Sequence, residues 1–172
     1  DFVGRDALAA TIAEGRHVYR TLHFAGEMPD SVAPVLLDGV TMGGGVGLSI
    51  HGRYRVATER TLFAMPETGI GLIPDVGGTH ALARLPGFIG TWLALTGARL
   101  KAADCVYAGI ATHYIPSDRL PLLRELLAKG EEPVDQILAT LDAPAGETTL
   151  EALRDAIDYH FAHDSVEAIM ES

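Results

Sequence analysis

A cluster of glycines directly after a short apolar run constrains the fold of this chain more than any other feature. The run is Val35–Leu37, and a wholly apolar run this short is typical of a strand buried on both faces of a parallel sheet. Apolar residues resume at Val46, which indicates that a short helix follows. Between the two lie four glycines within five residues, Gly43, Gly44, Gly45 and Gly47. A strand, a glycine turn and a helix in this order are typical of α/β proteins.

The glycine turn can serve either of two purposes. Since glycine lacks a Cβ atom, a ligand can approach the backbone closely, and the first N–H groups of a helix have no intrahelical partner. An anion, or an oxygen that becomes anionic, would be stabilised there, as in the oxyanion hole of acyl chemistry. The spacing is not G-x-G-x-x-G and no lysine follows as in a P-loop, so nucleotide binding is disfavoured. The alternative is that the glycines only allow the strand and the helix to pack tightly.

The rest of the chain continues the α/β pattern and ends in helices. An amphipathic helix is expected over residues 5–24, and further strands at Arg53–Ala57, Thr61–Met65 and Ala111–Ile115. Later helices are expected at Thr79–Leu85, Phe88–Thr96, Ala102–Ala108, Ser117–Lys129, Val134–Leu141, Thr148–His160 and Ser165–Met170. The expected N-caps are Ser117 and either Thr148 or Thr149. We therefore expect a core over residues 1–116 and a helical segment over residues 117–172.

Charge and cysteine content exclude several classes of protein. The net charge is −10, and only two of the 13 basic residues are lysines, so neither nucleic-acid binding nor a polybasic membrane-surface contact is expected. No apolar run reaches 18 residues, so we expect no transmembrane helix. Cys105 is the sole cysteine, which excludes intrachain disulfides and fits a reducing compartment.

Two carboxylates stand out in a loop rich in glycine and proline. Glu67 and Asp75 lie eight residues apart, and Ile70, Leu72 and Ile73 between them provide an apolar wall. Apolar surroundings tune a carboxyl group toward proton transfer near neutral pH. The alternative is that the first acid caps a helix and the second is an ordinary turn residue.

Three stretches of the sequence carry a family resemblance, which extends over residues 33–116. They read DGVTMGGGVGLS, FAMPETGIGLIPDVGG and LALTGARLKAADCVYAGIATHYI. Together they resemble the crotonase (enoyl-CoA hydratase/isomerase) superfamily and, within it, the branch of 3-hydroxyisobutyryl-CoA hydrolases. The resemblance implies an α/β fold with a crotonase-like ββα spiral core and a helical C-terminal part.

The resemblance also implies how a substrate is held. Members bind acyl-CoA thioesters and hold the thioester oxygen between two backbone N–H groups. One N–H group comes from the glycine turn, here Gly44 with Gly43 beside it. The other comes from a segment of FCAGGD type, which this sequence does not contain. We therefore expect the chain to be truncated at both ends, with earlier strands and later helix missing.

The identity of two positions favours hydrolysis over hydration. Similar hydratases carry one catalytic glutamate in the glycine turn and a second 20 residues later, which correspond here to Gly47 and Glu67. The hydrolase branch instead pairs Glu67 with Asp75, and both acids are present. The resemblance then implies that Glu67 attacks the carbonyl or activates water, and that Asp75 positions the substrate hydroxyl or assists proton transfer.

Two other functions stay open beside the acyl-CoA thioester hydrolase that releases CoA and a short hydroxy acid. They are an enoyl-CoA hydratase or isomerase, and a non-catalytic protein of the same family that binds acyl-CoA. The hydrolase needs no metal and no cofactor, since CoA is part of its substrate. The leucines of residues 117–129 form a core stripe or a contact in a homo-oligomer. The expected compartment is the bacterial cytoplasm, in preference to the mitochondrial matrix.

Overall fold

Two small sheets lie at the centre of the part of the chain that the structure, a computed structural model, describes, residues 34–172. The first sheet has the order β1 (Val35–Leu37), β3 (Arg55–Ala57) and β6 (His113–Tyr114), with all three strands parallel. The second has the order β2 (Val40–Met42), β4 (Leu62–Ala64) and β5 (Leu100–Lys101), with β4 parallel to β2 and antiparallel to β5. The helix expected over residues 5–24 lies outside the described residues.

The first four strands alternate between the two sheets. Between β1 and β2 the chain turns at Gly39, whose φ of 97° favours glycine, and it crosses from one sheet to the other. It crosses again between β3 and β4. As a result β3 pairs with β1, with Val35 opposite Arg55, and β4 pairs with β2, with Val40 opposite Leu62. The expectation of a spiral core built from ββα units is confirmed.

Short helices connect and cover the strands. Within residues 34–172 they are α1 (Gly44–Ser49), α2 (Gly78–Leu82), α3 (Ile89–Thr96), α4 (Ala102–Tyr107), α5 (Leu120–Lys129), α6 (Val134–Leu141), α7 (Leu150–His160) and α8 (Val166–Glu171). Single turns of 3₁₀ helix span Glu67–Ile70 and Ser117–Arg119. No helix in this part of the chain is long and apolar enough to cross a membrane.

The sequence pattern missed two of these strands. β2 has three residues and β5 has two, which is too short for an alternating pattern to become visible. β3 and β6 are also shorter than expected, since they begin at Arg55 and His113. Their backbone pairing is determined by neighbouring strands, which a local sequence pattern does not report.

Two hydrophobic clusters hold the described part together. The larger one lies beside the glycine turn and includes Leu37, Val46, Phe63, Leu93, Cys105 and Ile157. The second includes Val56, Ile115, Leu120, Leu123, Ile137 and Leu138, so the leucine stripe of α5 packs in the core. The C-terminal helices thus contribute to both clusters, and the division at residues 116 and 117 stays a prediction.

The thiol of Cys105 is part of the larger cluster and is fully buried. Burial, with the nearby Asp104 carboxylate as a second cause, raises the pKa of this thiol to about 12. A thiol that stays protonated at neutral pH is a poor nucleophile, so Cys105 is a structural residue.

The N-terminus of α7 is capped by a side chain from another helix. Ser117 does not cap its helix as expected, and Thr149 has the N-cap position without a capping side-chain bond, although the Thr148 hydroxyl accepts the Leu150 N–H at 3.2 Å. Instead, the buried Asp104 of α4 accepts the N–H groups of Thr149 and Leu150 at 2.7 and 3.1 Å and the Thr148 hydroxyl at 2.8 Å. Burial alone would raise the pKa of this carboxyl, but these hydrogen bonds outweigh it and keep the pKa below its ordinary value.

We expect Asp104→Ala to lower the free energy of unfolding by about 2–3 kcal/mol at neutral pH, because charged hydrogen bonds and a helix cap are lost together. A carboxyl with a lowered folded-state pKa stabilises the protein above its unfolded-state pKa of about 3.9, and this contribution is lost as the pH falls through the folded-state pKa. Urea denaturation at several pH values should therefore show the difference from wild type shrinking in acid. The exposed Asp155 of α7 is the control, and an equal loss in Asp155→Ala would contradict the capping role.

Candidate active site

The glycine turn connects β2 to α1 and leaves backbone N–H groups available. Gly43 has φ 51° and ψ −122°, a conformation that residues with a side chain rarely adopt. The N–H groups of Val46 and Gly47 donate to its carbonyl oxygen at 2.9 and 3.4 Å. The N–H group of Gly44 precedes these first intrahelical bonds, and a Cβ atom built on Gly44 meets no described atom within 4 Å. The side of Gly44 on which a side chain would stand is therefore open.

Glu67 reaches the same turn from the neighbouring strand. β4 pairs with β2 so that Ala64 lies opposite Met42, and the 3₁₀ turn that begins at Glu67 follows directly. A Cβ atom built on Gly43 would lie 3.2 Å from Glu67 Oε1. The absent side chain at residue 43 thus makes the room that the carboxylate needs.

The Glu67 carboxylate is buried and incompletely bonded. The residue is 6% exposed, and its Oε2 atom has no hydrogen-bond partner among the described residues. Burying a polar oxygen without a partner costs free energy, and native structures retain such groups mainly where they have a function. Glu67 is therefore the strongest candidate for a reacting group in this part of the chain.

Asp75 lies in the loop that contacts α1 at Gly47. Its carbonyl oxygen accepts the Gly78 N–H at 2.6 Å, while the residue itself is exposed. The next residue, Val76, contacts α1 at Gly47. The structure thus brings the Glu67 segment to Gly43 and the Asp75 segment to Gly47, at the two ends of one short stretch of backbone. That both acids act on one substrate stays a prediction.

The contact between Gly47 and Val76 leaves no room for a side chain on α1. A Cβ atom built on Gly47 would lie 2.5 Å from Cβ, Cγ2 and the carbonyl oxygen of Val76, which real Cβ atoms do not tolerate. A glutamate at this position, as the resembling hydratases carry, would therefore require the loop to move. The sequence shows that residue 47 has no carboxylate, but it does not show that Val76 occupies the space where a side chain at residue 47 would lie.

In the described part of the chain, the apolar side chains that were expected to shield Glu67 and Asp75 do not do so. Ile70, Leu72 and Ile73 are 76%, 55% and 75% exposed. The chain reverses at Gly71, where φ is 76°, and none of the three side chains belongs to the larger hydrophobic cluster. The sequence predicted that the loop contains apolar side chains, but it did not predict that these side chains are exposed.

Two histidines lie behind the loop. The ring centroids of His51 and His80 are 6.1 Å apart, and a Cβ atom built on Gly77 would lie 2.6 Å from His51 Nε2. His51 therefore packs against the loop backbone at a glycine with φ 83°. Within residues 34–172, no group of three histidine, cysteine or acidic residues could hold a metal ion.

Comparison with known proteins gives one consistent family. A sequence model described as Enoyl-CoA hydratase/isomerase matches residues 8–172. The chain is 49% identical over 146 residues to the 3-hydroxyisobutyryl-CoA hydrolase, mitochondrial, of Rattus norvegicus and 50% identical to that of Xenopus tropicalis. Each match covers 80% of this chain and 38% of the relative, so the chain spans less than half of their length.

Solved structures of the same kind resemble the fold. A carnitinyl-CoA dehydratase from Mycobacterium thermoresistibile matches with a TM-score of 0.72 and 44% identity, over 79% of this chain and 39% of that one. An enoyl-CoA hydratase from Rhodobacter sphaeroides matches with a TM-score of 0.69 and 45% identity, over 80% and 40%. The crotonase-like architecture that the sequence predicts is thereby confirmed.

Proposed function

The chain belongs to the enoyl-CoA hydratase/isomerase family, and from this premise we propose that the protein hydrolyses an acyl-CoA thioester of the 3-hydroxyisobutyryl-CoA type. The products are free CoA and a short hydroxy acid. The observation that carries the proposal is the buried Glu67 carboxylate beside the glycine turn, with one oxygen unpartnered among the described residues. The relatives named as hydrolases also support the proposal, since they are identical to this chain at about half of the aligned positions.

In the proposed reaction, the Gly44 N–H donates to the thioester oxygen, and Gly43 lets the backbone and Glu67 approach each other. Hydrogen bonding to that oxygen polarises the carbonyl and stabilises the negative charge that develops when a nucleophile adds. The glycine turn supplies one of the two donors that the family resemblance implies.

Glu67 then supplies the nucleophilic step in one of two ways. It either accepts a proton from a water molecule that adds to the carbonyl carbon, or attacks that carbon itself and is released by water afterwards. In both cases the carbon–sulfur bond breaks, the sulfur leaves as CoA thiolate and takes up a proton, and the acyl group leaves as a carboxylate. Asp75 positions the substrate hydroxyl or assists the proton transfer.

A hydratase or isomerase is the second candidate, because the solved structures named above include a dehydratase and a hydratase at 44% and 45% identity. Two carboxylates flanking the double bond would be needed for water addition. The tight Gly47–Val76 contact argues against the second carboxylate on α1. A non-catalytic acyl-CoA-binding protein is the third candidate, and it would be identified by binding of acyl-CoA in a thermal-shift titration together with no turnover in the activity assay.

The decisive experiment measures CoA release. The complete protein, as its gene encodes it, is incubated with 3-hydroxyisobutyryl-CoA and with crotonyl-CoA, and free thiol is followed with a thiol reagent. We expect thiol release from the hydroxyacyl thioester. Hydration of crotonyl-CoA without thiol release from either substrate would contradict the hydrolase and favour the hydratase.

We further expect the activity to need neither a metal ion nor a redox cofactor, because a carboxylate and backbone N–H groups supply the whole reaction. Thiol release should be unchanged after dialysis against EDTA and without added nicotinamide. Activity that is lost in EDTA and restored by zinc would contradict this mechanism.

The proposal also covers the partners of the protein and the compartment in which it works. Its partner is the acyl-CoA substrate, and a homo-oligomer would be built through exposed apolar side chains such as Leu122 of α5, which is 44% exposed. The proposed compartment is the bacterial cytoplasm or the mitochondrial matrix. Both are reducing compartments, in which a lone buried thiol such as Cys105 stays unpaired.

A further inference from the structure

Val76 adopts a backbone conformation that is unfavourable for its residue type. Its φ is 45°, and within residues 34–172 it is the one residue other than glycine with a positive φ. In the left-handed region, the Cβ atom of an L-residue crowds its own backbone, and branching at Cβ makes this worse. Such a conformation persists only where the surrounding contacts maintain it, and it is found most often at functional sites.

The contacts that maintain Val76 come from α1 and from the start of α2. Its side chain lies directly on Gly47, where even one added carbon atom would collide. On the other side, the following Gly77 faces His51 and takes φ 83°, and Gly78 donates its N–H to the Asp75 carbonyl oxygen. The backbone on both sides of Val76 is therefore fixed, and Asp75 directly precedes it.

We propose that Val76 is a positioning residue for Asp75 and thereby determines which pair of carboxylates this site uses. Packing of Val76 on Gly47 fixes the direction in which the Asp75 side chain leaves the loop. The same contact fills the space that a side chain on α1 would need. A carboxylate on α1 would therefore require the loop that carries Asp75 to move. This inference rests on the proposed hydrolase function, since it assigns the route by which Asp75 takes part in it.

The main test is Val76→Gly in the complete protein. Glycine adopts a φ of 45° without strain, and valine is already 48% exposed, so the thermal midpoint should shift by only a few degrees. With its contact to α1 gone, Asp75 is no longer held, and we expect kcat for thiol release to fall at least ~10-fold. Val166→Gly, at an equally exposed valine of α8, is the matched control and should leave kcat unchanged.

A double-mutant cycle shows whether Val76 acts through Asp75. If it does, Val76→Gly should have little further effect on kcat in an Asp75→Asn background, whereas a general loosening of the site would lower kcat equally in both backgrounds. Equal losses would overturn the proposal, and so would an unchanged kcat in the single variant.

Val76→Asn keeps the inference testable if the glycine variant does not fold. Asparagine tolerates a positive φ better than valine and still fills the space over Gly47, so thiol release should stay within about threefold of wild type. A folded Val76→Asn protein that loses as much activity as Val76→Gly would overturn the positioning role. The hydrolase proposal fails separately, if the wild-type protein releases no thiol from 3-hydroxyisobutyryl-CoA.

Discussion

Replacing Glu67 by Gln is expected to lower the rate of thiol release from the acyl-CoA substrate by at least ~10²-fold, the usual contribution of one positioned acid or base. The substitution keeps the shape of a side chain that is 6% exposed and lies against Gly43. It removes the oxygen that would accept a proton or attack the carbonyl. The fold should be retained, because the lost Oε2 atom has no hydrogen-bond partner among the described residues.

The pairing of Glu67 with Asp75 gives this prediction a second part. Asp75→Asn alone should also lower turnover by ~10²-fold or more. If the acids act as a unit, the double variant should lose much less than the product of the two single losses. Glu147, an exposed acid before α7, provides the control Glu147→Gln, which should leave kcat unchanged. Turnover by Glu67→Gln at the wild-type rate would remove Glu67 from the chemistry.

The second large effect is expected at Gly44. A Cβ atom there meets no described atom within 4 Å, so the turn can still form, but we expect the valine side chain to fill the space through which the thioester oxygen approaches the amide. Loss of one oxyanion donor typically costs ~10²–10³-fold in rate, and we expect a decrease of this size in thiol release.

Gly69 offers a matched control for this substitution. It also has an ordinary φ and open space at its Cβ position, so Gly69→Val tests the cost of adding the same side chain elsewhere. Circular dichroism and thermal melting of both variants should resemble wild type. Equal loss of activity in the two variants would contradict a specific role for the Gly44 amide.

Sequence patterns predicted those parts of the fold that depend on local composition. The apolar run Val35–Leu37 is a strand, the glycine turn opens a helix, and Val134–Leu141 is helical over the whole expected range. Each of these segments has a strong signal of its own, either a run, a cluster or a 3.6-residue period. The helix expected from Ser165 begins at Val166, and the Ser165 side chain accepts the Ala168 N–H at its start.

Features that depend on a distant partner were not predictable in this way. The cap of α7 comes from Asp104, 45 residues earlier, although threonines stand at the expected position. The left-handed conformation of Val76 depends on Gly47, and valine is a residue type that gives no hint of it. Within the site, sequence identified Glu67, Asp75 and the glycine turn, whereas only the fold brings Glu67 to Gly43.

The alternation of the first four strands between two sheets also affects how the chain folds. Residue 35 pairs with residue 55 and residue 40 with residue 62, so each of these two pairings closes a loop of about twenty residues. Loop-closure entropy grows slowly with length, so a longer connection between two paired strands costs little additional free energy. An insertion between two turns of the spiral would therefore lengthen one connection and leave the pairing on either side intact. Such an architecture can gain or lose peripheral segments while the backbone around Gly44 keeps its geometry.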